Sequence, residues 1–271
     1  MGSARRSLAL AAMAATWLAC PATAGACALD AKAETVAVER VLDGDTLALD
    51  DGRLVRLAGV EAPKAPLGTK ARDWPSGEAA REALEKSAQG RVLELRAARA
   101  SPDRRNRILG YLTEIDGADH AGLQAGLLRL GALRVAADAA GRDCRATLAE
   151  AEAVAISSRL GLWSEPYYEV LDASDGAAFA ALDGRFIVAE GRVASTRTSA
   201  GRAYVNFGRR WRGALSLTLS EAALRRFGGF EAVGAKAGAR VRARGVVEMR
   251  AGPMIRIAEA AQIERLDSRK R

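Results

Sequence analysis

Aromatic residues are scarce in this 271-residue chain: Phe, Trp and Tyr together make up 5%. Its cores must therefore be built mainly from Leu, Val and Ala. Histidine occurs once, as His120. A single histidine builds no zinc site without partners. The neighbouring Asp116 and Asp119 read as turn residues, so His120 is expected in an exposed loop. No Gly-rich phosphate loop, zinc-spaced cluster or Ser-His-Asp set stands out, and no internal repeat is visible. Cysteine occurs three times. The apolar run at residues 8–19 is too short to span a bilayer.

That run reads instead as part of a secretory signal over residues 1–24. Arg5-Arg6 is its charged start and Ala22-Thr23-Ala24 its small-residue cleavage site. The expectation is an exported protein, periplasmic or extracellular, with no stable membrane insertion once the signal is removed. Cys20 leaves with the signal. Cys27 and Cys144 remain, an even number in an oxidising compartment, so one disulfide between them is expected. Two unpaired thiols are the alternative.

The chain is organised around residues 38–64, VERVLDGDTLALDDGRLVRLAGVEAPK. Three short apolar strands are separated by turns at Asp43-Gly44 and at Asp50-Asp51-Gly52. Asp-Gly between apolar runs is a hairpin signal, because such turns need positive φ. Asp43, Asp45 and Glu61 fall at strand ends, where carboxylates can meet and hold a hard cation through oxygen. Arg56 lies in the same meander and can clamp a phosphate with its planar fork. The same residues also suit a polar turn and a strand-edge charge.

DGDT, then RLAGVEAP, then Asp103-Arg104-Arg105-Asn106-Arg107, then Gly161-Leu162-Trp163 occur in the order of the staphylococcal nuclease (thermonuclease) family, which residues 36–165 resemble. The resemblance implies a five-stranded barrel with three helices that holds calcium beside a scissile phosphodiester. By position, Asp45 and Glu61 match its metal carboxylates, and Asp43 an outer carboxylate. Arg56 and Arg107 match the two arginines that stabilise the transition state. Lys64 falls where the family has its general-base glutamate. A lysine cation has no lone pair to accept a proton and repels calcium. Ala62 stands where the family has a threonine. Glu61 is one methylene longer than aspartate.

Further along, Ser76 reads as a helix cap, Gly90 as that helix's stop, and residues 145–160 as a helix ending in a Trp163 plug. Residues 35–166 form the nuclease-like domain and 167–182 an Ala/Asp-rich linker. Residues 183–265 form a second domain and 266–271 a basic tail. Five strands with a helix between the third and fourth give the second domain the element order of an OB-like barrel. The fold class is thus mainly β with helices (α+β): two five-stranded OB-like barrels. Residues 181–271 carry 19 Lys+Arg and 8 Asp+Glu, a formal +11, whereas the whole chain is +8. The first part is therefore slightly acidic. In the basic half, Arg209-Arg210-Trp211-Arg212 and Arg240, Arg242 and Arg244 are interleaved with Tyr204 and Phe207. That composition suits a single-stranded nucleic-acid backbone; an acidic cell-envelope polymer is the competing partner. Two function classes follow. One is an exported, calcium-dependent nuclease weakened at Lys64. The other is a non-catalytic binding protein in which Lys64 adds a phosphate contact. The oligomeric state is left open.

Overall fold

A computed structural model describes residues 27, 29–66, 68–70, 73–136, 144–210 and 212–267. The signal segment and the basic tail at 269–271 lie outside these residues. The central stretch folds as the expected meander of β1 (Ala33–Asp43), β2 (Thr46–Leu49) and β3 (Leu54–Leu57). Its two Asp-Gly turns use glycine differently. Gly52 has φ +84°, the left-handed conformation expected of such a turn. Gly44 is not left-handed; a Cβ there would come 2.6 Å from the Ala80 Cβ and 2.8 Å from the Ala62 Cβ. Close packing, not φ, demands glycine in the DGDT turn.

After the two-residue β4 (Val60–Glu61), α1 (Pro75–Ala88) begins with proline at its first turn, where a missing N–H costs nothing. Ser76 is not the cap. It lies inside the helix, and its hydroxyl donates to Glu165 at 2.8 Å. Gly90, at φ +71°, ends the helix as expected. Next come β5 (Val92–Ala97), β6 (Ile108–Thr113), α2 (Gly122–Arg129), β7 (Arg134–Val135) and α3 (Arg145–Ser157). The five long strands close into a barrel in the order β1-β2-β3-β6-β5, with β3 and β6 parallel. β4 and β7 form a separate ladder in which Glu61 faces Arg134. The barrel core is aliphatic, with Leu47, Leu49, Val55, Leu57 and Leu112 at 0% exposure. Cys27 and Cys144 form a disulfide with Cα atoms 4.9 Å apart, fastening the segment before β1 to the start of α3. His120 is half-buried rather than exposed, and its Nδ1 accepts from the Leu29 N–H at 2.8 Å.

The second unit comprises β8 (Leu171–Asp172), β9 (Phe186–Arg192), β10 (Ser195–Ser199), β11 (Arg202–Asn206), β12 (Ser216–Ser220), α4 (Glu221–Arg226), α5 (Gly229–Ala232), β13 (Arg240–Met249), β14 (Pro253–Arg256) and β15 (Ile263–Arg265). Its sheet runs β10-β11-β12-β14-β13-β9-β8, with β15 on β13 and a parallel β12–β14 pair. The first strand expected in this unit, over residues 186–195, is β9; after a break at Val193-Ala194 the chain continues as β10, which was not expected. Counted as one strand, β9 and β10 give the strand order of the first barrel, with β8 added beyond β9 at the end of the sheet. The expected last strand is likewise broken, into β14 and β15.

The segment expected as a linker is packed. β8 pairs in parallel with β9, Phe179 is at 0% exposure in the second core, and Tyr168 is buried. Tyr168 and Val188 join Ala155, Leu162 and Trp163 in a third apolar cluster between the two cores. Trp163 thus plugs the junction. Charge runs through the same junction. Arg244 of β13 makes a two-pronged pair with Glu152 of α3, at 3.0 and 2.8 Å, both side chains being at most 1% exposed.

Candidate functional site

The site is built on the DGDT turn. Asp45 is fully buried, a position tolerable for a carboxylate only when its oxygens are occupied. The Thr46 hydroxyl donates to one oxygen at 3.1 Å and the Ala62 N–H to the other at 2.9 Å. The backbone of position 62 therefore serves Asp45 although the residue there is alanine. Lys64 Nζ straddles the carboxylate, 3.4 and 3.3 Å from its two oxygens, and lies 3.3 Å from Asp43 Oδ2. Arg56 Nε is 3.8 Å from Asp45 Oδ1. Asp43 also accepts the Asp45 N–H at 2.9 Å. Burial pushes the Asp43 carboxyl up, but that N–H bond and the nearby Lys64 charge outweigh it and hold the group below the usual carboxylate range.

Arg107 approaches from the turn before β6. Its Nη1 donates to the Thr46 hydroxyl at 3.1 Å, so Arg107, Thr46 and Asp45 form a continuous chain of hydrogen bonds. Asp103 fixes the arginine, accepting from Nε at 2.9 Å and from Nη2 at 2.7 Å. The other Asp103 oxygen accepts the backbone N–H groups of Arg105 and Arg107 and folds the turn. Burial pushes the Asp103 carboxyl up, but the hydrogen bonds from Arg107 and from the Arg105 N–H together outweigh it and bring the carboxyl far below its ordinary value. The structure thus brings together Asp43, Asp45, Arg56, Lys64 and Arg107, and adds Thr46, Asp103 and Arg134, which the sequence did not single out. Asp103 carried a readable signal, an aspartate four residues before the arginine in a tight turn. Arg134 carried none, because only the β4–β7 pairing places it beside Glu61.

Glu61 is turned to that partner: its Oε2 accepts from Arg134 Nη2 at 3.1 Å. Calcium needs several oxygens at about 2.3–2.6 Å around one point. Here the Lys64 ammonium already bridges Asp43 and Asp45, and Arg134 engages Glu61. Among the described residues no three His, Cys, Asp or Glu side chains gather as a metal-holding group. As they stand here, the carboxylates of Asp43, Asp45 and Glu61 do not fit the ion, because Lys64 and Arg134 engage them.

The basic candidates of the second unit divide. Arg209, Arg210 and Arg212 are exposed in the loop between β11 and β12, and Trp211 lies outside the described residues. Phe207 is core. Arg242 and Arg244 are corrected: they are 4% and 1% exposed and face inward to carboxylates. Arg242 pairs with Glu190 at 2.7 Å and with Glu264 at 3.3 Å, and Arg244 pairs with Glu152. Alternation along β13 places these arginines under the junction, not on a solvated face.

Residues 54–165, from β3 to the turn that carries Trp163, match the family described as staphylococcal nuclease homologue. No curated protein matches the chain. Enzymes of this family are nucleases, generally calcium-dependent. The match, the closed barrel with its three helices, and the placement of Arg56 and Arg107 around Asp45 and Thr46 agree: residues 54–165 of this chain are similar to the staphylococcal nuclease homologue family.

Proposed function

We propose that the chain is an exported, nuclease-like protein that engages the phosphodiester backbone of DNA or RNA at the barrel site and hydrolyses it weakly. The observation that carries this reading is Lys64 Nζ between the Asp43 and Asp45 carboxylates. Arg56 and Arg107 remain available to stabilise charge developing on a phosphorus centre. Arg107 is held rigid by Asp103, so little reorganisation is needed.

The proton-accepting side of the chemistry is poor. A positioned general base contributes about 10²–10⁴-fold. Asp45 is buried with both oxygens occupied, and Glu61 is paired. Asp43 has a lowered carboxyl pKa, which makes it a weak proton acceptor. The same arrangement favours binding over turnover, and so a phosphate-binding protein of the cell envelope as the second reading. Cleavage of single-stranded DNA by the purified mature chain, with calcium and with chelator, is the test. Slow cleavage that the chelator leaves unchanged is expected. Brisk, chelator-sensitive cleavage overturns the proposal.

A further inference from the structure

We propose that the outer face of β10, β11, β12 and β14 is a second binding surface, independent of the barrel site, that takes single-stranded nucleic acid. Register sets one row of side chains across this sheet. Arg197 faces Tyr204, Tyr204 faces Thr218, and Thr218 faces Arg256. Their chain neighbours Ala203, Val205, Leu217, Leu219 and Ile255 are buried in the core, so alternation turns Arg197, Tyr204 and Arg256 outward, while the small Thr218 between Tyr204 and Arg256 is itself buried. At roughly 4.8 Å per strand the row spans about 14 Å.

The Arg197 guanidinium lies 4.7 Å from the centre of the Tyr204 ring. The pair makes a two-layer planar platform, and bases stack on both ring faces and guanidinium planes. One step along the strands, Arg202 faces Ser220. Arg226 projects from α4 beside them. Arg202, Thr218, Ser220, Arg226 and Arg256 line a concavity of about 510 Å³.

The cations are largely uncommitted. Arg256 pairs with Glu248 at 3.3 Å, with 59% of its side chain exposed. Arg226 donates to the Ala258 carbonyl at 3.5 Å. Among the described residues Arg197, Arg202 and Arg226 have no ion pair. An acidic polymer without bases would need only the arginines. The stacked tyrosine at the centre of the row favours a ligand with flat rings.

The test is binding of a labelled single-stranded oligonucleotide to the full chain, by fluorescence anisotropy over a salt series, with inorganic polyphosphate as a competitor that lacks bases. Tyr204→Ala should weaken oligonucleotide binding about 5- to 100-fold, and Tyr204→Phe should keep it. Polyphosphate affinity should be the same for wild type and Tyr204→Ala. Arg202→Ala with Arg226→Ala should weaken both ligands and reduce the slope of log affinity against log salt by about 1.4. If Tyr204→Ala disturbs folding, the exposed Arg197→Ala replaces it with the same expectation. Arg56→Ala, at the barrel, is measured alongside. Loss of binding there, with Tyr204→Ala and the double variant at wild-type affinity, overturns this surface while leaving the barrel reading intact. Equal loss of polyphosphate and oligonucleotide with Tyr204→Ala overturns it as well, as does a wild type that binds neither.

Discussion

Lys64 shows how one residue can change the chemistry of a site without disturbing its scaffold. Its ammonium lies within 3.4 Å of three carboxylate oxygens on Asp43 and Asp45, a cation supplied by the chain. Lys64→Glu removes that cation and adds a third carboxylate beside the other two. Calcium affinity should rise by orders of magnitude, read by calorimetric titration without substrate, and calcium-dependent cleavage should rise with it. A variant that binds calcium no better than wild type would show that Lys64 does not block the ion. Arg107→Ala should reduce whatever cleavage exists by about 10²-fold or more, since it removes charge stabilisation from the transition state. Its partner Asp103 provides a subtler measurement. Asp103→Asn keeps the turn's acceptor oxygen but loosens the arginine. It should lower kcat more than it raises KM.

At the scale of elements, the first strands and turns were legible in the sequence because their signals are local, whereas the barrel was implied by the family resemblance. Apolar alternation and Asp-Gly turns marked β1 to β3, and Gly90 marked the end of α1. What was not legible depends on contacts far apart in the chain. Arg242 and Arg244 read as a basic strand face, because alternation separates two faces without saying which one is buried. Their burial follows from Glu152, 92 residues before Arg244, lying on a helix of the other unit. The Glu61–Arg134 pair was hidden for the same reason. Glu152 also gives the protein an acid limit. Burial raises its carboxyl pKa, but the Arg244 pair outweighs burial and leaves the group below its ordinary 4.5. A depressed folded-state pKa gives stability that is complete above the unfolded value of 4.5 and is lost as pH falls through the folded value. Thermal midpoints measured from pH 7 downward should therefore hold to about pH 4.5 and then decline. The double variant Glu152→Leu with Arg244→Met should decline less steeply over that range.

At the scale of the whole molecule, two units of the same strand order are fastened by more than a tether. The Tyr168–Trp163–Val188 cluster and the Glu152–Arg244 pair lie between the two cores, and the segment before β9 packs into the second. Deleting residues 181–271 to locate strand binding would therefore strip a buried carboxylate of its partner and expose the junction, so point substitutions on the outer sheet are the sounder probe. The Cys27–Cys144 bond spans 117 residues, a loop whose closure is worth about 4–5 kcal/mol in the chain-entropy account. It lies entirely in the first unit, so reduction should lower that unit's stability while leaving the second core intact. The junction then decides whether the chain unfolds as one body or two. With the pair and the cluster in place, calorimetry of the oxidised protein should give a single transition whose calorimetric and van't Hoff enthalpies agree. Arg244→Ala leaves the buried Glu152 only Arg242 at 3.9 Å and the Val135 N–H at 2.7 Å, a loss of up to about 3–5 kcal/mol that weakens the junction. The single transition should then separate into two, the less stable unit melting first. Two transitions in the wild-type protein would mean that the junction does not couple the units. A uniform shift of one transition in Arg244→Ala would mean that the apolar cluster alone is enough to couple them.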